Sequence, residues 1–251
     1  MSRAEIRPPE ADDEPDPARR GGRAVVALVA AAGCAAVLVA AGARLAGELT
    51  RDPTPAEVAA AGTAEIAARY RTWPAGRIFP ERIGYTLDLG PAETARRVGI
   101  DPGAGCADGV DPRLGATLTA RRCRAVLRAG YLDQLQGLAV TVGVVAFPDE
   151  ARAREAAHWF AAGPPGPGLR ALSFPGSVTA RFGDAARQAS AVRQHGPYVV
   201  AATVGYADGR PAVRARRQED LAALGPQLAE AVLRPLTRPA AVRCGTPEWS
   251  C

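Results

Sequence analysis

Between Arg23 and Arg44 the chain runs for twenty residues without a charge. At 1.5 Å per residue, a helix of that length covers about 30 Å, the thickness of a bilayer's hydrocarbon core. Ala, Val and Leu dominate residues 24–43, with Gly33, Cys34 and Gly42 among them, so the run is only moderately apolar. A membrane span, a buried core helix and a cleaved signal peptide all have this pattern. A core helix needs neighbours to pack on, and the preceding tail offers none. A signal peptide has an apolar region of about 7–15 residues behind a short basic leader, and this run follows a long acidic one. Ala41-Gly42-Ala43 nevertheless has the small-x-small form of a cleavage site, so cleavage remains the competing outcome. The expectation is one uncleaved transmembrane helix over residues 24–43, a single-pass signal anchor in the cell membrane.

Arginine placement sets the expected orientation. Arg19, Arg20 and Arg23 stand immediately before the run, whereas Arg44 and Arg51 follow it among Glu48 and Asp52. Positive residues are retained on the cytoplasmic side, and acidic ones count for little. The N-terminus is therefore expected in the cytoplasm and the C-terminal region outside. Cysteine usage agrees. Cys34 falls within the run, and Cys106, Cys123, Cys244 and Cys251 all lie beyond it. An even number of cysteines suits an oxidising compartment. Metal binding competes with this reading, but no tight Cys pair and no neighbouring His accompany these residues. Four cysteines allow three pairings. Local pairing, Cys106 with Cys123 and Cys244 with Cys251, is the expectation, the second bridge fixing the C-terminus beside Trp249.

Organisation along the chain follows from patterning. Residues 1–23 mix Pro8, Pro9, Pro15 and Pro17 with six acidic residues and show no apolar periodicity, so a disordered cytoplasmic tail is expected. Residues 44–80 read as a juxtamembrane linker and a helix from Pro55 to about Tyr70, with Val58, Ile66 and Tyr70 on its apolar side. Residues 81–251 read as an extracytoplasmic α+β domain. Residues 83–89 suggest a short strand. Residues 90–112, with Pro91, Pro102, Gly103 and Gly105, read as loop with one helical turn at 93–98. Asp111 would cap a helix over 113–122. Residues 124–132 alternate like a half-buried strand, with Ala125, Leu127, Ala129 and Tyr131 on one face. Residues 138–147 are nearly all apolar, as in a central strand. Asp149 would cap a helix through Ala162. A short strand is expected at 178–182, and a hairpin over 189–194 and 198–206 turning at His195-Gly196-Pro197. A helix over 219–236 follows, with Leu221, Leu224, Leu228, Val232 and Leu236 on one side. Strand, strand, helix thus occurs twice, with Thr141-Val142-Gly143 and Thr203-Val204-Gly205 in the second strands. The expected architecture is an antiparallel sheet with helices packed on one face, consistent with a duplicated strand-strand-helix unit.

Cys123 to Tyr131, Thr141-Val142-Gly143-Val144, Gly196-Pro197-Tyr198-Val199-Val200, Gly205 to Arg210 and the Trp249-x-Cys251 end resemble a group of uncharacterised actinobacterial single-pass membrane proteins over roughly residues 24–251. That resemblance implies location and topology, and carries no assigned activity. In plan, a tethered, disulfide-bearing α+β domain is also similar to the extracytoplasmic sensor domains of actinobacterial receptor kinases, a likeness at fold level only.

Chemistry-bearing motifs are sparse. His158 falls on the polar side of its helix and His195 in a turn. Ser173, Ser177, Ser190 and Ser250 stand in no nucleophile elbow, and the sequence has no phosphate-binding glycine loop, zinc-protease helix or calcium loop. No cofactor is expected. The most site-like feature is the repeated Gly-Tyr-x-Asp. Tyr131, Asp133, Tyr206 and Asp208 become candidate ligand-facing residues, although a tyrosine packing a strand end and an aspartate opening a turn explain the pattern more simply. Arg210, Arg214, Arg216 and Arg217 form a basic cluster that would suit anionic headgroups or an anionic wall polymer; nucleic acid is excluded by location. The leading expectation is a membrane-anchored, sensor-like binding domain without catalysis, meeting a protein partner or an anionic wall polymer. A wall-associated hydrolase or transferase with a site around Asp133, Asp208 or His195 is the alternative.

Overall fold

A computed structural model describes residues 17–87, 90–160, 166–211 and 219–240. The chain divides into two compact units, Met1–Thr54 and Pro55–Cys251. The described part of the first unit is one helix, α1 (Pro17–Thr50). Its stretch Val25–Thr50 is long and apolar enough to cross a membrane and has no part buried in the protein. The helix runs seven residues beyond the charge-free run at each end, back through residues 17–23, expected to be disordered tail, and forward through the segment expected to be linker. Good helix formers, Leu45, Ala46 and Leu49, continue it, and the Thr50 hydroxyl closes it on the Ala46 carbonyl at 2.8 Å.

The second unit is an α+β domain. Its elements are α2 (Pro55–Thr72), α3 (Ala75–Ile78), β1 (Arg82–Thr86), β2 (Ala92–Ala104), α4 (Pro112–Ala120), β3 (Ala125–Leu132), β4 (Leu138–Ala146), α5 (Glu150–Ala157), β5 (Arg187–His195), β6 (Tyr198–Tyr206) and α6 (Glu219–Thr237). The six strands form one antiparallel sheet in the order β1-β2-β3-β4-β6-β5. β4 and β6 are neighbouring interior strands, and both are covered on the two faces of the sheet, which is why they are apolar at nearly every position.

Alternate residues of the central strands enter two different cores. On the first face Val140, Val142, Val144, Tyr198, Val200 and Ala202 pack with Leu224, Leu228, Val232 and Leu236 of α6. Ile66 and Tyr70 of α2 pack against the same cluster. On the second face Val145, Val199 and Ala201 meet Leu114 and Leu118 of α4 and Ala153, Ala156 and Phe160 at α5. The helical cover expected on one face is thus supplied by α2 and α6, with α4 and α5 added on the other.

The duplicated unit extends to the strands alone. Thr141 lies directly opposite Thr203 in the β4–β6 ladder, so a two-fold through that pair exchanges the β3-β4 hairpin with β5-β6. Such an axis would keep α5 and α6 on the same face, and they lie on opposite ones.

Three local expectations are corrected. Residues 92–104 form β2 rather than loop and helical turn. Beyond Arg96, β2 has β3 as its only ladder partner among the described residues, and Pro102 falls in a register shift between Asp101 and Ala104, where its missing amide breaks no ladder bond. Residues 178–181 form a 3-10 turn rather than a strand, because the Ser177 hydroxyl accepts from the Thr179 amide and tightens the chain. Asp111 precedes α4 but does not cap it; its carboxylate instead accepts from the Gly168 amide and pairs with Arg187, all at 2.9 Å. Asp149 does cap α5, accepting from the Arg152 amide at 2.9 Å.

Candidate functional site

The repeated motifs seat a strap. Residues 166–186 cross the second face of the sheet, and both repeated threonines hold them. Thr141 Oγ1 accepts from the Leu172 amide at 2.8 Å, and Thr203 Oγ1 donates to the Leu169 carbonyl at 3.0 Å. The repeated glycines make room for it. A Cβ on Gly130 would come within 2.6 Å of the Phe174 ring, and one on Gly143 within 2.6 Å of Leu169. One on Gly205 would come within 2.1 Å of the Ala186 carbonyl oxygen. The spacing read as a repeat therefore reflects what lies on the sheet.

The candidate ligand-facing residues share one end of the sheet, since Leu132, Ala139 and Gly205 stand side by side. The ends of β3 and β6, with β4 between them, are about 10 Å apart. Their side chains are engaged internally. Tyr131 is fully buried and its hydroxyl donates to the Pro80 carbonyl at 2.9 Å; burial raises its phenol pKa well above the ordinary value. It does not face a ligand. Asp133 is 6% exposed and its carboxylate accepts from the Leu138 amide at 2.7 Å, closing the β3–β4 turn. Tyr206 lies under the Arg210 guanidinium, 4.0 Å from its ring centre. Asp208 is exposed, and hydrogen bonding from Arg210 holds its carboxyl below the usual range. His158 and His195 are both exposed. Among the described residues no group of His, Cys, Asp or Glu is arranged to hold a metal ion.

Of the cysteines, Cys106 and Cys123 are joined in a disulfide with Cα atoms 6.1 Å apart, tying the start of the α4 region to the start of β3. Cys34 is free. Cys244 and Cys251 lie outside the described residues, as do Arg214, Arg216 and Arg217 of the basic cluster.

A different basic site emerges on the first face. A groove of about 1070 Å3 runs between α2, α3 and the C-terminal end of α6. Ala61, Ala64 and Ala68 recur at helical spacing on α2, so its wall there is low. Arg69 and Trp73 of α2, Arg77 of α3, and Arg234 and Arg238 from the end of α6 complete it, together with a single acidic residue, Glu65.

Arg69 builds this site. It is 1% exposed. Its Nη1 donates to the carbonyls of Pro235 (3.3 Å), Leu236 (3.0 Å) and Arg238 (2.7 Å), and its Nη2 and Nε donate to Glu65 at 2.5 and 2.9 Å. The last carbonyls of a helix have no partner within it and carry the negative end of its dipole. A guanidinium from α2 thus caps α6, with Glu65 neutralising its charge. Arg69 lies 4.7 Å and Arg77 3.7 Å from the centre of the Trp73 ring, within cation–π range. Tyr198 makes a second tie. Its hydroxyl donates to the Ile66 carbonyl at 2.6 Å and accepts from the Tyr70 amide at 3.2 Å, bridging one turn of α2 to β6.

Of the remaining cations, Arg234 pairs loosely with Glu230, at 3.5 Å and 77% side-chain exposure. Arg77 and Arg238 have no carboxylate partner among the described residues. Sequence patterning missed this site because it treated arginines as solvated. A signal was present: Arg69 falls between Ile66 and Trp73 on the apolar side of α2, with Glu65 four residues before it.

No protein-family model, curated protein or solved structure matches this chain.

Proposed function

We propose that this protein is a single-pass membrane protein, with its N-terminus in the cytoplasm, whose C-terminal α+β domain lies outside the cell and binds a ligand or partner in a sensor-like role. The groove carries the reading. It is a preformed depression whose cations exceed its acidic residues by four to one, and its frame is fixed by a buried arginine. Ligand sites are concave and hold a few convergent polar groups that orient what binds. The apolar helix α1 supports the anchor, and the Cys106–Cys123 disulfide supports an oxidising compartment. The arginines flanking α1 support the orientation. The membrane, a protein partner and an anionic wall polymer are the partners this site suits. Membership of an actinobacterial family of tethered domains fits the same plan. A hydrolase or transferase reading gains nothing from the site's geometry, because Asp133 and Asp208 are held by a turn amide and by Arg210.

Labelling by a membrane-impermeant maleimide tests the arrangement. Leu135 is 83% exposed, so a Leu135→Cys variant should label in intact cells and a Ser2→Cys variant only after lysis. The reverse pattern refutes the orientation. Equal labelling of both in the soluble fraction refutes the anchor.

A further inference from the structure

We infer that the groove between α2, α3 and the end of α6 binds a polyanion carrying phosphodiester groups. The inference rests on the binding-domain reading and names its ligand class. Charge comes first: four arginines line the groove against one glutamate, and that glutamate is held by Arg69 at 2.5 Å. Arg77 and Arg238 are left with no carboxylate partner among the described residues. The chain has no lysine, so every cation there is a planar fork that matches the paired oxygens of a phosphodiester or carboxylate.

The walls decide between anions. An acidic peptide entering the groove would bring amides and carbonyls that need new partners once they leave water. The longest wall is α2, whose backbone groups are paired within the helix, and Arg69 takes the carbonyls at the end of α6. Pro235 and Pro239 contribute no amide. Neither does the groove suit a proline-rich peptide or a neutral sugar, which dock on open aromatic faces: Arg77 lies over the Trp73 ring. A phosphodiester chain needs only cations for its oxyanions and small apolar surface for its linkers. Ala61, Ala64 and Ala68 supply that surface along two turns of α2. At about 1070 Å3 the groove exceeds what a single phosphate fills and suits several consecutive units.

The test is calorimetric titration of the intact protein in an uncharged detergent with an oligo(glycerol phosphate) of defined length. Polyglutamate of equal charge and inorganic phosphate serve as comparison probes. The phosphodiester oligomer should bind at least about tenfold more tightly than either, the margin expected for one additional charge-assisted contact. The double variant Arg77→Gln/Arg238→Gln should weaken it by about a hundredfold with an unchanged melting temperature, since neither side chain is buried in the core. Equal binding of polyglutamate, unaltered binding by the double variant, or no binding overturns the proposal. Binding that appears only after residues 241–251 are removed assigns the groove to the chain's own C-terminal segment and overturns it too. If the oligomer fails while a photo-crosslinker at Thr72 still captures another ligand in the native membrane, only the ligand class falls. If both fail, the binding-domain reading falls with it.

Discussion

Replacing Arg69 by methionine removes one guanidinium and keeps most of the volume. In the folded protein that guanidinium is 1% exposed and serves three carbonyls at the end of α6 as well as Glu65. Hydrogen bonds to charged groups contribute about 1.5–3 kcal/mol each, but several made by one side chain do not add fully. Removing one partner of a buried ion pair costs about 3–5 kcal/mol, because the other is left behind. Glu65 retains 22% side-chain exposure and recovers some hydration, so the lower part of that range applies, about 3 kcal/mol. For a domain of this size, each kcal/mol moves the melting temperature by about 2–4 °C. Arg69→Met should therefore lower it by about 6–12 °C in near-UV circular dichroism of the intact protein in detergent. Arg71→Met, an exposed neighbour on the same helix, should stay within about 2 °C. Adding Glu65→Gln to Arg69→Met should recover part of the loss, since no unpaired carboxylate then remains. If Arg69→Met melts with Arg71→Met, the guanidinium does not fasten α2 to α6 and the groove has no fixed frame.

Alanine at Gly205 should cost about 1–3 kcal/mol by chemical denaturation, because its Cβ would meet the Ala186 carbonyl at 2.1 Å, whereas Gly137→Ala, with open space around it, should be near neutral. Losing the Cys106–Cys123 bridge, by a double alanine variant or by reductant, should remove about 3 kcal/mol, as expected for a loop closed across 17 residues; a melting temperature unmoved by either would contradict this. Burial pushes the Tyr198 phenol up to about 12, and Tyr85 and Tyr131 are raised further. Unfolded tyrosines ionise near pH 10 while these stay neutral, so stability should be full below about pH 10 and fall steadily toward pH 12. Tyr198→Phe should make that fall shallower; an unchanged slope would mean its phenol is not protected.

The sheet was largely legible because its central strands carry their own signal. Val140 to Val145 and Val199 to Val204 are apolar on both faces, and only central strands are. α6 was legible from Leu221, Leu224 and Leu228 at helical spacing. β2 was not, since Pro102 and Gly103 usually end strands, and only the absence of β1 alongside them makes them tolerable. The Thr-Val-Gly pairing was visible, but its meaning lay in residues 166–186, which have no periodicity of their own. The groove escaped for a different reason. Its cations come from positions 69, 77, 234 and 238, and nothing local relates the two ends of the chain. A buried arginine also looks like a surface one in a sequence where all positive charge is arginine.

A photo-activatable residue placed at Thr72, on the groove, and another at Leu135, on the β3–β4 turn, would show in the protein's own membrane whether the groove is where the domain binds. A binding groove should give a discrete adduct from Thr72, absent from Leu135 and lost when Arg77 and Arg238 are replaced by glutamine. Adducts of equal yield from both positions, or a Thr72 adduct indifferent to the two arginines, would contradict it.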